Sequence, residues 1–108
     1  MDVSDWRKRI NEADRRILNL LNERVGYVLR LAPLKRQSNI PVHEPGREEE
    51  VLSKLREQND GPLSDEAVCR IFEAVMKEMR AVQMEKEHQV EEIDSGDTDS
   101  AQNSAEGR

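Results

Sequence analysis

The sequence predicts an all-α protein of three helices. Three observations lead there. Apolar residues between Trp6 and Leu31 recur at alternating steps of four and three, the spacing that keeps side chains on one helical stripe. Leu, Glu, Arg, Lys, Ala, Gln and Met dominate residues 1–87, and no alternating polar–apolar run marks a strand. Punctuation by proline, glycine and asparagine then divides the helical stretch into three segments.

Helix 1 is expected to start near Ser4 or Asp5, either of which suits an N-cap. Its seam runs Trp6, Ile10, Ala13, Ile17, Leu20, Arg24, Tyr27 and Leu31. Pro33 has no N–H for the Leu29 carbonyl, so the helix must kink there or stop. Leu34 and Lys35 continue the phase of the seam, which favours a kink and resumption. Residues 37–44 read as a loop, because Pro41 disfavours helix at Ile40. Helix 2 starts at Pro45, whose ring suits a first turn, and Glu48, Glu49 and Glu50 suit its positive end. Val51, Leu52 and Leu55 supply its apolar face. Asn59-Asp60-Gly61-Pro62 stops it. Helix 3 starts after Ser64 as N-cap, with Leu63 and Val68 placed for a hydrophobic staple. Its stripe is Val68, Ile71, Phe72, Val75, Met79 and Val82.

The 108 residues suffice for one small domain, expected over 1–88. A chain of this size often gains burial by pairing with a copy of itself. The net charge of −6 is unevenly placed: residues 1–84 hold 15 acidic and 15 basic side chains, whereas residues 85–108 hold 8 acidic and 2 basic. The helical part is therefore neutral and lacks the basic footprint of a nucleic-acid binder. Residues 89–108 read as an acidic, disordered tail. Cys69 is the only cysteine, which excludes an internal disulfide and a cysteine-rich metal site. Beside Val68, Ile71 and Phe72 it reads as a structural thiol. No leader or membrane-spanning run is visible, so a cytoplasmic setting without membrane contact is expected.

Four polar residues interrupt the apolar stripes. Arg24 lies on the helix 1 seam and Lys35 continues its phase. Glu48 precedes Val51, Leu52 and Leu55 by three, four and seven, and Gln83 follows Met79 and Met76 by four and seven. Arg24 and Lys35 are about 20° apart round an ideal helix and about 16 Å apart along it, a spacing that suits a small anion held between them. Each residue also has an ordinary reading. Arg24 fits a pair with Glu23 of a neighbouring chain, Lys35 an exposed loop, Glu48 a dipole-complementing role and Gln83 a frayed end. Arg7 lies about 25 Å before Arg24 and about 100° round the axis, so the two cannot reach one small ligand from the same helix. If both do bind one molecule, Arg7 comes from a second chain; otherwise it is an ordinary exposed charge.

The pattern Arg7-x-x-Ile10-x-x-x-Asp14, Ile17-x-x-Leu20-Leu21-x-x-Arg24, Lys35, Pro41-Val42-x-x-x-x-Arg47-Glu48, Ile71-Phe72 and Arg80-x-x-Gln83 resembles the all-helical chorismate mutase family. The resemblance covers residues 5–85. It implies an intertwined homodimer of three-helix protomers that converts chorismate to prephenate in aromatic amino-acid biosynthesis, with no cofactor and no metal. Position by position, it implies that Arg24 and the partner's Arg7 bind the two substrate carboxylates. Lys35 and Gln83 would donate to the ether oxygen of the breaking bond. Glu48 would accept from the ring hydroxyl with Arg47 nearby, and Glu44 matches an acidic position by the Lys35 or hydroxyl region.

The residue types agree with that chemistry. An intramolecular Claisen rearrangement needs no nucleophile, only a dianion held in a compact shape and donors at the oxygen that gains charge. Two departures stand out. Many relatives carry a small hydroxyl residue four before the glutamine, where this chain has Met79. The family's first helix is normally unbroken where Pro33 falls. Two alternatives remain open on sequence alone: an isochorismate pyruvate lyase of the same fold, and a non-catalytic helical regulatory or docking module.

Overall fold

The computed structural model describes the backbone of residues 1–96 and the side chains of residues 1–88. Its described residues form three α-helices and no strand: α1 (Val3–Gln37), α2 (Pro45–Gln58) and α3 (Asp65–Gly96). The chain divides into two compact units, Met1–Ile40 and a second that begins at Pro41.

The first unit is α1 and its exit turn. The helix is capped two or three residues earlier than Ser4 or Asp5, the caps expected from the sequence. Asp2 is the N-cap, and its Oδ1 accepts from the Asp5 backbone N–H at 3.0 Å. Asp5 Oδ2 accepts in return from the Asp2 N–H at 2.9 Å, which completes a reciprocal box. The Asp5 N–H holds the Asp2 carboxyl below its ordinary value of 3.8. At the other end α1 runs unbroken through Pro33. Only one helical donor is lost there, and the last turn is secured by other bonds. Ser38 N–H donates to the Leu34 and Lys35 carbonyls at 3.2 and 3.1 Å, and Ile40 N–H to Lys35 O at 2.8 Å. Asn39 between them adopts φ 59°, the left-handed conformation in which asparagine is well tolerated after a helix end.

The large apolar residues of the seam read from the sequence are not buried in α1. Trp6, Ile10, Ile17, Leu20, Tyr27 and Leu31 are all at least half exposed. Shelter is concentrated instead in the C-terminal part of the helix, at much the same phase: Arg24 and Val28 are half-buried, and Ala32 and Lys35 are buried. Arg24 and Lys35 share the phase of the seam, so periodicity alone does not say which stretch of it is sheltered. On the exposed face the Arg9 guanidinium lies 5.6 Å from the Trp6 ring centroid, and the Tyr27 hydroxyl donates to Glu23 at 2.8 Å.

In the second unit α2 packs against α3. Pro45 occupies the first turn of α2 and Glu48 lies at its positive end. Leu52 is its buried residue, flanked by half-buried Val51 and Leu55. The turn to α3 is organised by Asn59. Its amide donates to Leu63 O at 2.9 Å and Asp65 Oδ1 at 2.8 Å, and its Oδ1 accepts from Gly61 N–H at 2.9 Å. Gly61 sits at φ 77°, where a side chain would be strained. Ser64 caps α3 as expected, its hydroxyl accepting from the Ala67 N–H at 3.0 Å. Val68 is buried, while Leu63, expected as its staple partner, is half exposed.

The buried stripe of α3 is Val68, Met76, Met79 and Gln83, with Phe72, Val75 and Val82 half-buried. Ile71, expected on that stripe, is exposed, and Met76 takes the inner place. A four-residue step from Phe72 reaches Met76, whereas Ile71 lies about 100° back from Phe72. The helix continues through Gly96, past the expected domain end at residue 88. The remainder of the expected tail, residues 97–108, lies outside the described residues. No described helix is long and apolar enough to cross a membrane.

Because the Asp2 carboxyl is held low, its cap is complete above the ordinary carboxylate value of 3.8 and is lost as pH falls through the lowered value. Nuclear magnetic resonance of the first turn should show that loss on acidification. Asp2→Asn, which still accepts a hydrogen bond but cannot titrate, should remove this pH dependence.

Candidate active site

In the first unit, Arg24 and Lys35 share the sheltered part of α1 with Val28 and Ala32 between them. Lys35, expected either on the seam or in an exposed loop, is helical and only 8 % exposed. An ammonium taken from water needs compensating polar contacts, so its burial here is not that of an ordinary solvated helix charge. Arg7 is exposed near the start of the same helix.

In the second unit, Glu48 and Gln83 are drawn inward from α2 and α3. Glu48 is 23 % exposed, and Arg80, on α3, is 28 % exposed and donates through Nη1 to Glu48 Oε2. On the other side of that carboxylate, His43 Nε2 lies 3.7 Å from Glu48 Oε1. The backbone under Glu48 is fixed by its N–H, which donates to the Glu44 carbonyl at 3.0 Å. Glu44 itself is half-buried at the N-cap of α2 and makes no side-chain cap bond. Gln83 is 3 % exposed, and its Nε2 donates to Glu87 Oε2 at 3.3 Å, one turn further on. Met79 is buried one turn before Gln83. Arg47 is exposed and pairs with Glu50 at 3.1 Å.

Three members of these clusters have no role in the sequence reading: Arg80, His43 and Glu87. Arg80 was visible as the residue four after Met76 and three before Gln83, which puts it beside the buried stripe. Glu87 lies four after Gln83 on the same face. His43 sits in the loop before α2, and no periodicity reports on loop geometry.

A separate contact lies at the α2–α3 end of the unit. Arg56 Nη1 donates to Cys69 Sγ at 3.3 Å, and its Nη2 to Glu49 at 3.0 Å. The Cys69 sulfur and then Glu49 raise the Arg56 pKa further above its ordinary value. Cys69 is free and half-buried, and lines a shallow cleft of about 270 Å³ with Arg56, Asp65, Glu66 and Arg70.

The family model described as chorismate mutase type II matches residues 6–84, well over half of the chain. The chain belongs to the chorismate mutase type II family. Among curated relatives it is 42 % identical over 77 residues to the bifunctional chorismate mutase/prephenate dehydratase of Neisseria gonorrhoeae, covering 71 % of this chain and 21 % of that protein. It is 30 % identical over 82 residues to the chorismate mutase of Methanocaldococcus jannaschii, covering 75 % of this chain and 83 % of that protein. The chain thus spans about a fifth of the bifunctional relatives it matches. Among solved structures, it resembles form II of the chorismate mutase from Thermus thermophilus with a TM-score of 0.73. That match has 32 % identity and covers 76 % of this chain and 93 % of that one. Form I from the same organism matches with a TM-score of 0.69 and 34 % identity, over 71 % and 96 % of the two chains.

The buried amide of Gln83 beside Glu87 generates a testable consequence. In Gln83→Glu, two carboxylates would face each other one turn apart, and the charged form of the new side chain would be disfavoured. The variant should become less stable as pH rises through its elevated pKa, a slope that the wild type should lack in thermal melts between pH 5 and 8.

Proposed function

We propose that this chain converts chorismate to prephenate, in aromatic amino-acid biosynthesis, with residues 1–88 as the catalytic domain. The observation that carries the reading is the sheltering of all four polar residues that interrupt its apolar stripes. In a chain of this family, Arg24 and Glu48 are half-buried and Lys35 and Gln83 are buried. Ordinary solvated charges on a helix face would have no reason to be so.

The rearrangement breaks the C–O bond of the enolpyruvyl ether while a C–C bond forms in the same molecule. No atom is transferred to the protein. Catalysis therefore reduces to holding the dianion in a folded, near-attack shape and stabilising charge on the ether oxygen. Arg24 and the partner's Arg7 bind the two carboxylates, since a guanidinium can meet a carboxylate with two parallel hydrogen bonds. Lys35 brings a positive charge to the ether oxygen and Gln83 a neutral donor. Glu48 accepts from the ring hydroxyl, with Glu44 and Arg47 on its flank. Met79 offers no hydroxyl to a carboxylate, which leaves that group more dependent on the arginines.

The homodimer in this reading is supported by the exposed stripe Trp6, Ile10, Ile17, Leu20, Tyr27 and Leu31. Such a row of large apolar side chains is unusual on a monomer and suits a long helix–helix seam. The same association would supply Arg7 in trans. A cytoplasmic location completes the reading, a compartment in which a lone thiol such as Cys69 stays reduced.

Purified protein mixed with chorismate should consume its ultraviolet absorbance and yield prephenate. Pyruvate release instead would make the chain a lyase, and no turnover with full helix content would make it a non-catalytic module. Arg24→Ala should abolish turnover while circular dichroism and the sedimentation of the dimer stay unchanged. Lys35→Ala should lower kcat by about 10²–10³, the usual effect of removing a donor to a developing oxyanion.

A further inference from the structure

We infer that Arg80 is a positioning residue for Glu48, tying down one carboxylate oxygen and cancelling its charge so that the other can receive a hydroxyl from a dianionic substrate. The inference rests on the mutase reading and assigns a residue that the reading leaves without a task.

The argument begins with a conflict. A carboxylate is a good acceptor for a ring hydroxyl, but it repels a substrate that already carries two negative charges. A half-buried carboxylate feels that repulsion more than one in open water, because screening is weaker. A neutral acceptor would avoid the repulsion at the expense of acceptor strength. The structure holds a different solution. Arg80 Nη1 donates to Glu48 Oε2 across the α2–α3 packing, with both side chains less than one third exposed. The pair is close to neutral as a unit, yet Oε1 keeps its lone pairs. His43 Nε2 stands 3.7 Å from Oε1, beyond hydrogen-bond distance.

Geometry also limits what Arg80 can do. Its guanidinium reaches Glu48 from the neighbouring helix, so it fixes the rotamer as well as the charge of that carboxylate. The Glu48 backbone is already fixed by the bond to the Glu44 carbonyl. One oxygen and the main chain are therefore held, and the direction of the second oxygen follows. An acceptor aimed before the substrate arrives loses less freedom on binding than one that must be ordered at that moment.

The test is a double-mutant cycle on steady-state kinetics with chorismate, using Arg80→Met, Arg80→Lys and Glu48→Gln. Arg80→Met should raise KM by about tenfold with a smaller fall in kcat, since it exposes the substrate to an uncompensated charge. Arg80→Lys should recover at least half of that loss on a logarithmic scale. In a Glu48→Gln background the same Arg80→Met change should alter kcat/KM by less than about twofold, because the charge it neutralised is gone. Losses that multiply in the double mutant would mean that Arg80 acts independently of Glu48 and would overturn the inference while leaving the mutase reading intact. A wild-type chain without turnover would overturn both. Should Arg80→Met fail to fold by circular dichroism, the Arg80→Lys arm decides alone: its KM effect must vanish in the Glu48→Gln background.

Discussion

Keeping a lysine and a glutamine out of water is the constraint on which this protein turns. Neither residue improves a helical core by being in it. Each displaces apolar contact and brings polar atoms that must be satisfied. Lys35 and Gln83 are nevertheless among the least exposed side chains of a small, charge-rich chain. Stability alone would select leucine or methionine at both sites. Retaining a cation and an amide there fits a requirement for donors in a sheltered place, where an electrostatic interaction is stronger than in bulk water.

The second constraint follows from shape. A helix of 35 residues is about 52 Å long, and its seam is not uniform. The C-terminal part of α1 shelters Arg24, Val28, Ala32 and Lys35, whereas the large apolar side chains of the seam, from Trp6 to Leu31, are at least half exposed. Apolar exposure and sheltered cations therefore share one face of the same helix.

In the second unit the polar contacts are arranged around a carboxylate instead. Glu48 stands at the positive end of α2, takes a bond from Arg80 of α3, and faces His43 from the preceding loop. Three different pieces of backbone converge on one side chain. Met79 shows the opposite tendency, an apolar residue on the stripe that carries Gln83.

Much of this was legible in the chain itself. Helix-period spacing, Pro45, the Asn59-Asp60-Gly61-Pro62 stop and the Ser64 cap are local signals, and the three helices lie where these put them. Arg24, Lys35, Glu48 and Gln83 stood out because a polar residue on an apolar stripe breaks a periodic rule. The resemblance to the chorismate mutases rested on those same positions, and the family match covers them. Three–four spacing did not say which stretch of the α1 seam is sheltered, nor that Met76 rather than Ile71 faces inward. Helical spacing allows either outcome in each case, and only the folded chain decides. Nor did it show Arg80 reaching Glu48, thirty-two residues away in sequence. Periodicity reports the face of one helix, whereas a salt bridge between helices depends on how two of them are set against each other.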